Sequence, residues 1–250
     1  MIIYQFIFSG PTLDEDDNLY LLDDIDTFLG ILYQQNQICS QNIILNFTPD
    51  GVRAVVDSPS ELMLFKKENN KYPLYWLEKL KESYGYDLAF EKIGENPLKM
   101  SGDYANASAF ILYGDGSSPL RSFNDFKQIP LYEFPYTYNG DPSYNDINWW
   151  HNDYNDLMSL WFRGHINEAY CNKKLSSITS PLTKNGLAIC RNIETLTARA
   201  CYYYLFNYKN DITDNCPSCG EHWKLEEKMF DEFNRCCHKC KIISHTRIDK

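Results

Sequence analysis

The chain alternates between stretches whose apolar residues recur every three or four positions and short stretches that are apolar without a break. Ile2 to Phe8, apolar but for Gln5, predicts a first strand. The polar stretch PTLDEDDN leads into Leu21, Ile25, Phe28 and Leu32, spaced four, three and four apart. That spacing places them on one face of a helix, the face to be buried. Thr12 is positioned to cap this helix, with Glu15 three residues on as its reciprocal partner. IILNFTPDGVRAVV predicts a hairpin around Thr48-Pro49-Asp50-Gly51, because proline presets φ and glycine accepts a positive one.

Pro73 opens a second predicted helix, with Leu74, Leu77 and Leu80 on one side. AFILYG at 109–114 predicts a short buried strand, and the Gly-, Pro-, Ser-, Asn- and Tyr-rich residues 114–145 a long irregular segment. Ile147, Trp150, Tyr154, Leu157 and Trp161 mark a helix over 144–162. Another begins at Ser180-Pro181 and carries Leu182, Gly186, Ile189, Ile193 and Leu196 on one face. CYYYLFNY at 201–208 is a strand by composition, and KNDITDN at 209–215 is polar and turn-prone. The pattern therefore predicts an α+β protein. A mixed helix and antiparallel-sheet body occupies 1–208, and a separate small module occupies 209–250.

The module holds the clearest chemistry. Cys216 and Cys219 form one C-x2-C pair, Cys237 and Cys240 another, with residues 220–236 between them. Each pair can close a tight turn that aims two sulfurs at one ion, and four thiolates around Zn2+ make a closed tetrahedral site of the structural type. Cys236 is set aside in favour of Cys237, because neighbours on a strand point to opposite faces. His222 and His238 are read as surface residues beside pairs already complete. One structural Zn2+ is the expected cofactor. Nine cysteines, an odd number with metal-type spacing, point to a reducing cytoplasm. The apolar start MIIYQFIFSG lacks a basic lead and a small-residue cleavage site, so it is read as a strand.

Cys-Pro-Ser-Cys-Gly, Trp223 shortly after, the later Cys-x-x-Cys and the β-rich KIISHTRI resemble a zinc ribbon. With the preceding IETLTARACYYYLFNY, the stretch 185–250 is similar to a proteobacterial family of uncharacterised proteins. That family is described as containing a zinc ribbon and as a candidate for nucleic-acid binding. The resemblance implies a ligand role for Cys216, Cys219, Cys237 and Cys240. The chain departs from the ribbon pattern at its second knuckle, where Lys241 replaces the usual glycine.

Charge then divides the molecule. The net charge is −10, yet residues 209–250 carry eight Lys/Arg and eight Asp/Glu, so the whole excess lies in 1–208. No Lys or Arg precedes Arg53, while residues 1–52 hold eight acidic groups, among them Asp23, Asp24 and Asp26. Residues 128–162 also lack Lys and Arg and combine Asp141, Asp146, Asp153 and Asp156 with Tyr136, Tyr138, Tyr144 and Trp149. Asp14 to Asp17 suit the positive end of a helix dipole, but Asp23, Asp24 and Asp26 lie too far along for that account. Carboxylates among exposed aromatics suit a basic protein partner and repel bare phosphate. The predicted partner surface comprises Asp23, Asp24, Asp26, Asp141, Trp149 and Asp153. A toxin or nuclease, neutralised in the manner of an immunity protein, is the kind of partner expected.

The alternative is nucleic-acid binding through the basic ribbon tip, with Arg235, Lys239, Lys241 and Arg247 contacting phosphate and Trp223 stacking on a base. Those cations also have a structural purpose, since zinc with four thiolates carries a charge of −2. A third reading is an enzyme with a site in 114–156. YGDGSSPLR lacks the Gly-Lys-Ser/Thr of a phosphate loop, and no cysteine has an adjacent base, so the sequence favours a non-catalytic protein. No apolar run is long enough for a membrane helix.

Overall fold

A computed structural model of the chain describes residues 1–39, 43–59, 71–95, 102–138, 141–164, 167–207 and 213–245, with Asp141 and Pro142 described by backbone alone. Contacts divide it into two units, Met1–Ser101 with Pro130–Phe134, and Gly102–Ile129 with Pro135–Lys250.

The first unit runs β1 (Ile2–Ser9), α1 (Glu15–Gln34), β2 (Asn46–Thr48), β3 (Gly51–Ser58), α2 (Lys71–Tyr84) and β4 (Asp87–Glu95). Its sheet has the order β2-β3-β1-β4 with every pairing antiparallel. This βαββαβ path is the ferredoxin-like topology. Tyr4, Phe6 and Phe8 alternate along β1 onto one face and share a core with Leu21, Ile25, Phe28 and Leu32 of α1. Phe8 meets Phe28 edge-on at 6.1 Å. Each such side chain, fully buried, contributes about 1.5–3 kcal/mol. The hairpin turns at Gly51, whose φ of +131° is open to glycine.

Three expectations change here. The cap of α1 is Asp14, whose carboxylate accepts the Asp17 N–H at 2.9 Å, not Thr12. An aspartate caps as well as a threonine and also answers the helix dipole. Leu74 is exposed, and α2 buries Pro73 and Leu80 instead. Strand β4 has no counterpart in the sequence reading.

The second unit contains β5 (Phe110–Leu112), β6 (Leu120–Ser122), β7 (Thr137–Tyr138), β8 (Asp141–Pro142), α3 (Asn145–Arg163), α4 (Glu168–Ser176) and α5 (Pro181–Thr197). It continues with β9 (Cys201–Tyr204), β10 (Lys224–Met229), β11 (Phe233–Cys237) and β12 (Ile242–Ser244). Six strands form one sheet in the order β10-β11-β12-β9-β5-β6, and β7 pairs with β8. The sheet is mixed, because β9 runs parallel to both β12 and β5. All four residues of β9 are buried, as expected of a parallel strand covered on both faces.

The helices pack by recognisable local rules. Ser180 caps α5 by accepting the Thr183 N–H at 3.1 Å, with Pro181 in the first turn. Gly186 lets α5 approach β9: a β-carbon there would lie 2.2 Å from the Tyr203 ring. The Trp150 indole N–H donates to the Leu182 carbonyl at 3.1 Å and ties α3 to the start of α5. The segment 114–145, read as irregular, contains β6, β7 and β8 as well as a 3-10 turn at Leu131–Glu133. Of the predicted module, the described residues 213–245 do not stand apart in the contact division, since β12 is hydrogen-bonded between β11 and β9.

Candidate metal centre and acidic groove

Four sulfurs converge at one end of the six-stranded sheet. Cys216 and Cys219 lie on the turn before β10, Cys237 ends β11, and Cys240 lies on the turn into β12. Their Sγ atoms all fall within 4.8 Å of one another, and Cys219 and Cys237 are 3.6 Å apart. A tetrahedron with Zn–S bonds of about 2.3 Å has edges of about 3.8 Å. The donor set and its dimensions therefore fit a metal ion and are compatible with zinc.

Backbone geometry explains how the two turns present their thiols. The Gly220 N–H donates to the Cys216 carbonyl at 2.9 Å, with φ of +76° at Gly220. In the second turn the Cys240 N–H donates to Cys237 Sγ at 3.4 Å. Lys241 then takes φ of +54°, so a lysine makes the left-handed step that glycine makes in the first turn. Such a step costs an L-residue about 1–2 kcal/mol. Lys241 Nζ pairs with Glu194 of α5 at 2.6 Å, and Glu194 also accepts the Cys201 N–H at 2.9 Å. Cys236 points away from the cluster. Its Sγ lies 3.7 Å from His238 Nδ1, and burial pushes the thiol up to about 12.

The basic tip changes character in the structure. Arg235 is buried, and its guanidinium donates to Asp214 at 3.0 Å and to the Thr213 carbonyl. Trp223 is only 1% exposed and donates its indole N–H to the same Thr213 carbonyl at 3.0 Å. Both serve the interior of the ribbon, which corrects their assignment as nucleic-acid contacts. Lys241 is bound to Glu194 as above. Lys239 is exposed and paired with Glu221. Arg247 lies outside the described residues.

The acidic surface divides likewise. Asp23 and Asp26 are exposed on α1, beside exposed Leu19 and Tyr20. Asp24 faces α2 instead, where it accepts from Lys79 Nζ at 2.8 Å and from the Tyr84 hydroxyl at 2.9 Å. It belongs to the helix pairing and not to a free surface. Tyr136 and Tyr144 are buried and stack on each other at 6.1 Å, so they too leave the set of exposed aromatics. Trp149 stays 57% exposed, and Asp153 is exposed.

Trp149 and Asp153 line a groove of about 560 Å³ in the second unit. On α3 its wall is Asp146, Trp149, Trp150 and Asp153, a stride of three, four and seven that keeps all four on one helix face. The opposing stride on α5 is Asn185, Ala188, Ile189 and Asn192. Buried Trp150 and Ile189 are apolar members of this lining, while Tyr138 of β7 meets Trp149 edge-on at 5.8 Å. Asp146 is held in place by the Tyr136 hydroxyl, which donates to its Oδ2 at 2.5 Å, and by the Ile147 N–H at 2.9 Å. Burial raises its pKa above the ordinary carboxylate value. Among the described residues no lysine or arginine lines the groove. The carboxylate Asp146 was visible in the sequence, but its partnership with α5 was not. The side chain of Asp141 is not described.

Burial, aided by Asp57, pushes the Cys39 thiol up to about 12, and burial also raises Cys201 well above the ordinary thiol value. Thiols so raised are not thiolates at neutral pH. His151 is buried on α3, burial lowers its pKa, and its Nε2 has no hydrogen-bond partner. Among the described residues no helix is long and apolar enough to cross a membrane.

Residues 105–206 match a family model described as "Domain of unknown function (DUF2310)", and residues 206–249 match one described as "Domain of unknown function (DUF8594)". The two matches meet at residue 206. Two proteins of Haemophilus influenzae, each called "Uncharacterized protein", are similar to the chain. One is 24% identical over 254 residues, covering 88% of this chain and 97% of its own length. The other is 26% identical over 192 residues, covering 73% of this chain and 92% of its own. No solved structure matches the chain significantly.

Proposed function

We propose that the chain is a non-catalytic binding protein, braced by one structural Zn2+, that engages a basic protein partner through its acidic, aromatic surface. Cys216, Cys219, Cys237 and Cys240 would hold the ion. Four thiolates leave no open position for water, so the metal supplies folding energy, on the order of 10 kcal/mol, and no Lewis-acid chemistry. The observation that carries the partner reading is Trp149, largely exposed beside two carboxylates in a groove that no described lysine or arginine lines. Exposed tryptophan next to desolvated recognition groups is the make-up of a binding hot spot. A net charge of −10 steers basic proteins toward the molecule and phosphate backbones away. A toxin or nuclease with a basic substrate cleft is a partner of the right chemistry, and covering that cleft would neutralise it. Engagement of Arg235 and Trp223 inside the ribbon weighs against a nucleic-acid role for the tip.

Capture from native lysate, with and without nuclease, tests this. The expected result is one stoichiometric basic protein that survives nuclease, is released by salt, and is lost with Trp149→Ala and Asp153→Asn. Co-purified RNA or DNA, with the bound proteins lost on nuclease treatment, overturns the reading.

A further inference from the structure

The groove between α3 and α5 has a more specific character than an acidic patch. One wall offers the largely exposed indole of Trp149, flanked by a carboxylate on each side at three residues before and four residues after. The other offers two amide side chains, Asn185 and Asn192, separated by the small Ala188. Asn192 Nδ2 already donates to the Thr137 carbonyl at 3.1 Å, which fixes its amide plane. Asp146 is likewise fixed before any ligand arrives, by the Tyr136 hydroxyl and the Ile147 N–H. Its carboxylate is half-buried, and neither it nor Asp153 has a cationic partner among the described residues. A half-buried anion without a counter-ion is costly, and a ligand cation would offset that cost.

The chemistry of the walls selects among cations. A compact ammonium makes a point charge, whereas a guanidinium is flat, stacks on an indole and spreads five N–H donors in its plane. Here an exposed indole, a fixed carboxylate and two amide side chains line one trough, which is the complement of the flat group. We propose that this groove is a subsite for the side chain of an arginine on the partner protein, stacked on Trp149 and hydrogen-bonded to Asp146, with Asp153 at the entrance drawing it in. The inference rests on the reading of the chain as a binder of basic protein.

The test uses the zinc-loaded full chain and N-acetyl-arginine amide, followed by the shift of the Trp149 indole N–H in NMR spectra. The signal is assigned with Trp149→Phe. Expected is saturable binding near the millimolar range, several-fold tighter than for N-acetyl-lysine amide, and lost in Trp149→Ala. Asp153→Asn, at an exposed position, weakens it. Asp146→Asn weakens it about tenfold or more, the usual effect of removing one charge-assisted hydrogen bond. The melting temperature of each variant separates lost binding from lost fold. No saturable shift, equal response to the lysine analogue, or unchanged binding in Trp149→Ala overturns the subsite. If such a failure coincides with nuclease-resistant capture of a basic protein, the subsite falls and the broader reading stands. Binding of the arginine analogue with only nucleic acid captured supports the subsite chemistry and overturns the broader reading.

Discussion

Asp146 has two functions that pull in opposite directions. Its position beside Tyr136 organises the groove, and its burial penalises its charge. Between the ordinary carboxylate value and its raised folded value, the folded chain holds more protons than the unfolded one. Stability from this group is therefore present at low pH and lost as pH rises through the folded value. Asparagine mimics the protonated form and keeps an oxygen for the Tyr136 hydroxyl. Asp146→Asn should consequently melt higher than the parent at pH 7, with the difference shrinking to nothing as the pH is lowered. Melting curves across that range check it; a loss at neutral pH would show that the charge is stabilised by something other than what lines the groove. Single residues were also where the sequence misled most. Trp223 and Arg235 look like nucleic-acid contacts because a tryptophan and a basic residue sit in a polar module. Nothing local announces that Thr213 and Asp214, upstream of the first cysteine, turn both inward.

Elements were more legible where their period was long. Helix α3 and the Ser180-Pro181 start of α5 are present in the structure, with Ile147, Trp150 and Tyr154 of the predicted stripe buried and Leu157 and Trp161 half-buried. Strand β4 was hidden because it lies at a sheet edge, is largely exposed, and carries a bulge opposite Ile3 and Tyr4 that breaks the alternation Leu88, Phe90. Strands of two or three residues, such as β6 and β7, hold too little sequence to show any period. Within α5, Gly186 looks like a helix-weakening residue, and its true role is contact. Exchanging glycine for alanine in a helix normally stabilises by up to about 1 kcal/mol. Here the new methyl would meet the Tyr203 ring at 2.2 Å and the Trp150 indole nitrogen at 2.8 Å. Overpacking of this kind costs about 1–3 kcal/mol, so the clash should win. Denaturant unfolding of Gly186→Ala should show a lower midpoint; a higher one would mean that α5 can slide off β9 without penalty.

At the scale of the whole molecule, the metal centre and the second unit share one sheet. The Tyr203 and Leu205 N–H groups donate to the Lys241 and Ile243 carbonyls at 2.8 and 2.9 Å, so β9 is bonded directly to the strand that follows Cys240. Removing the ion should then be felt beyond the cysteines. The intact chain is expected to hold one zinc per molecule, to lose it in Cys237→Ser and to keep it in Cys236→Ala. After chelation, amide exchange at Tyr203 and Leu205 should quicken along with that of β11 and β12. Protection at β9 that is indifferent to the metal would show that the ribbon is only appended to the sheet. The cysteine spacing made the four-cysteine cluster readable from sequence alone, whereas the parallel pairing of β12 with β9 is a long-range choice that no local pattern encodes.

The place of β9 in that sheet also sets an order of events. Its partner Phe110 pairs with Cys201, a loop of roughly ninety residues, whereas the four cysteines span roughly twenty-five. Closing the longer loop costs about 1 kcal/mol more in chain entropy. Under the proposed zinc reading, metal capture would assemble β10, β11 and β12 while β9 and β5 are still searching, and offer β9 a finished edge on which to settle. Zinc supply would then govern how quickly a newly made chain matures, and a metal-starved cell would accumulate chains with their central strand unpaired.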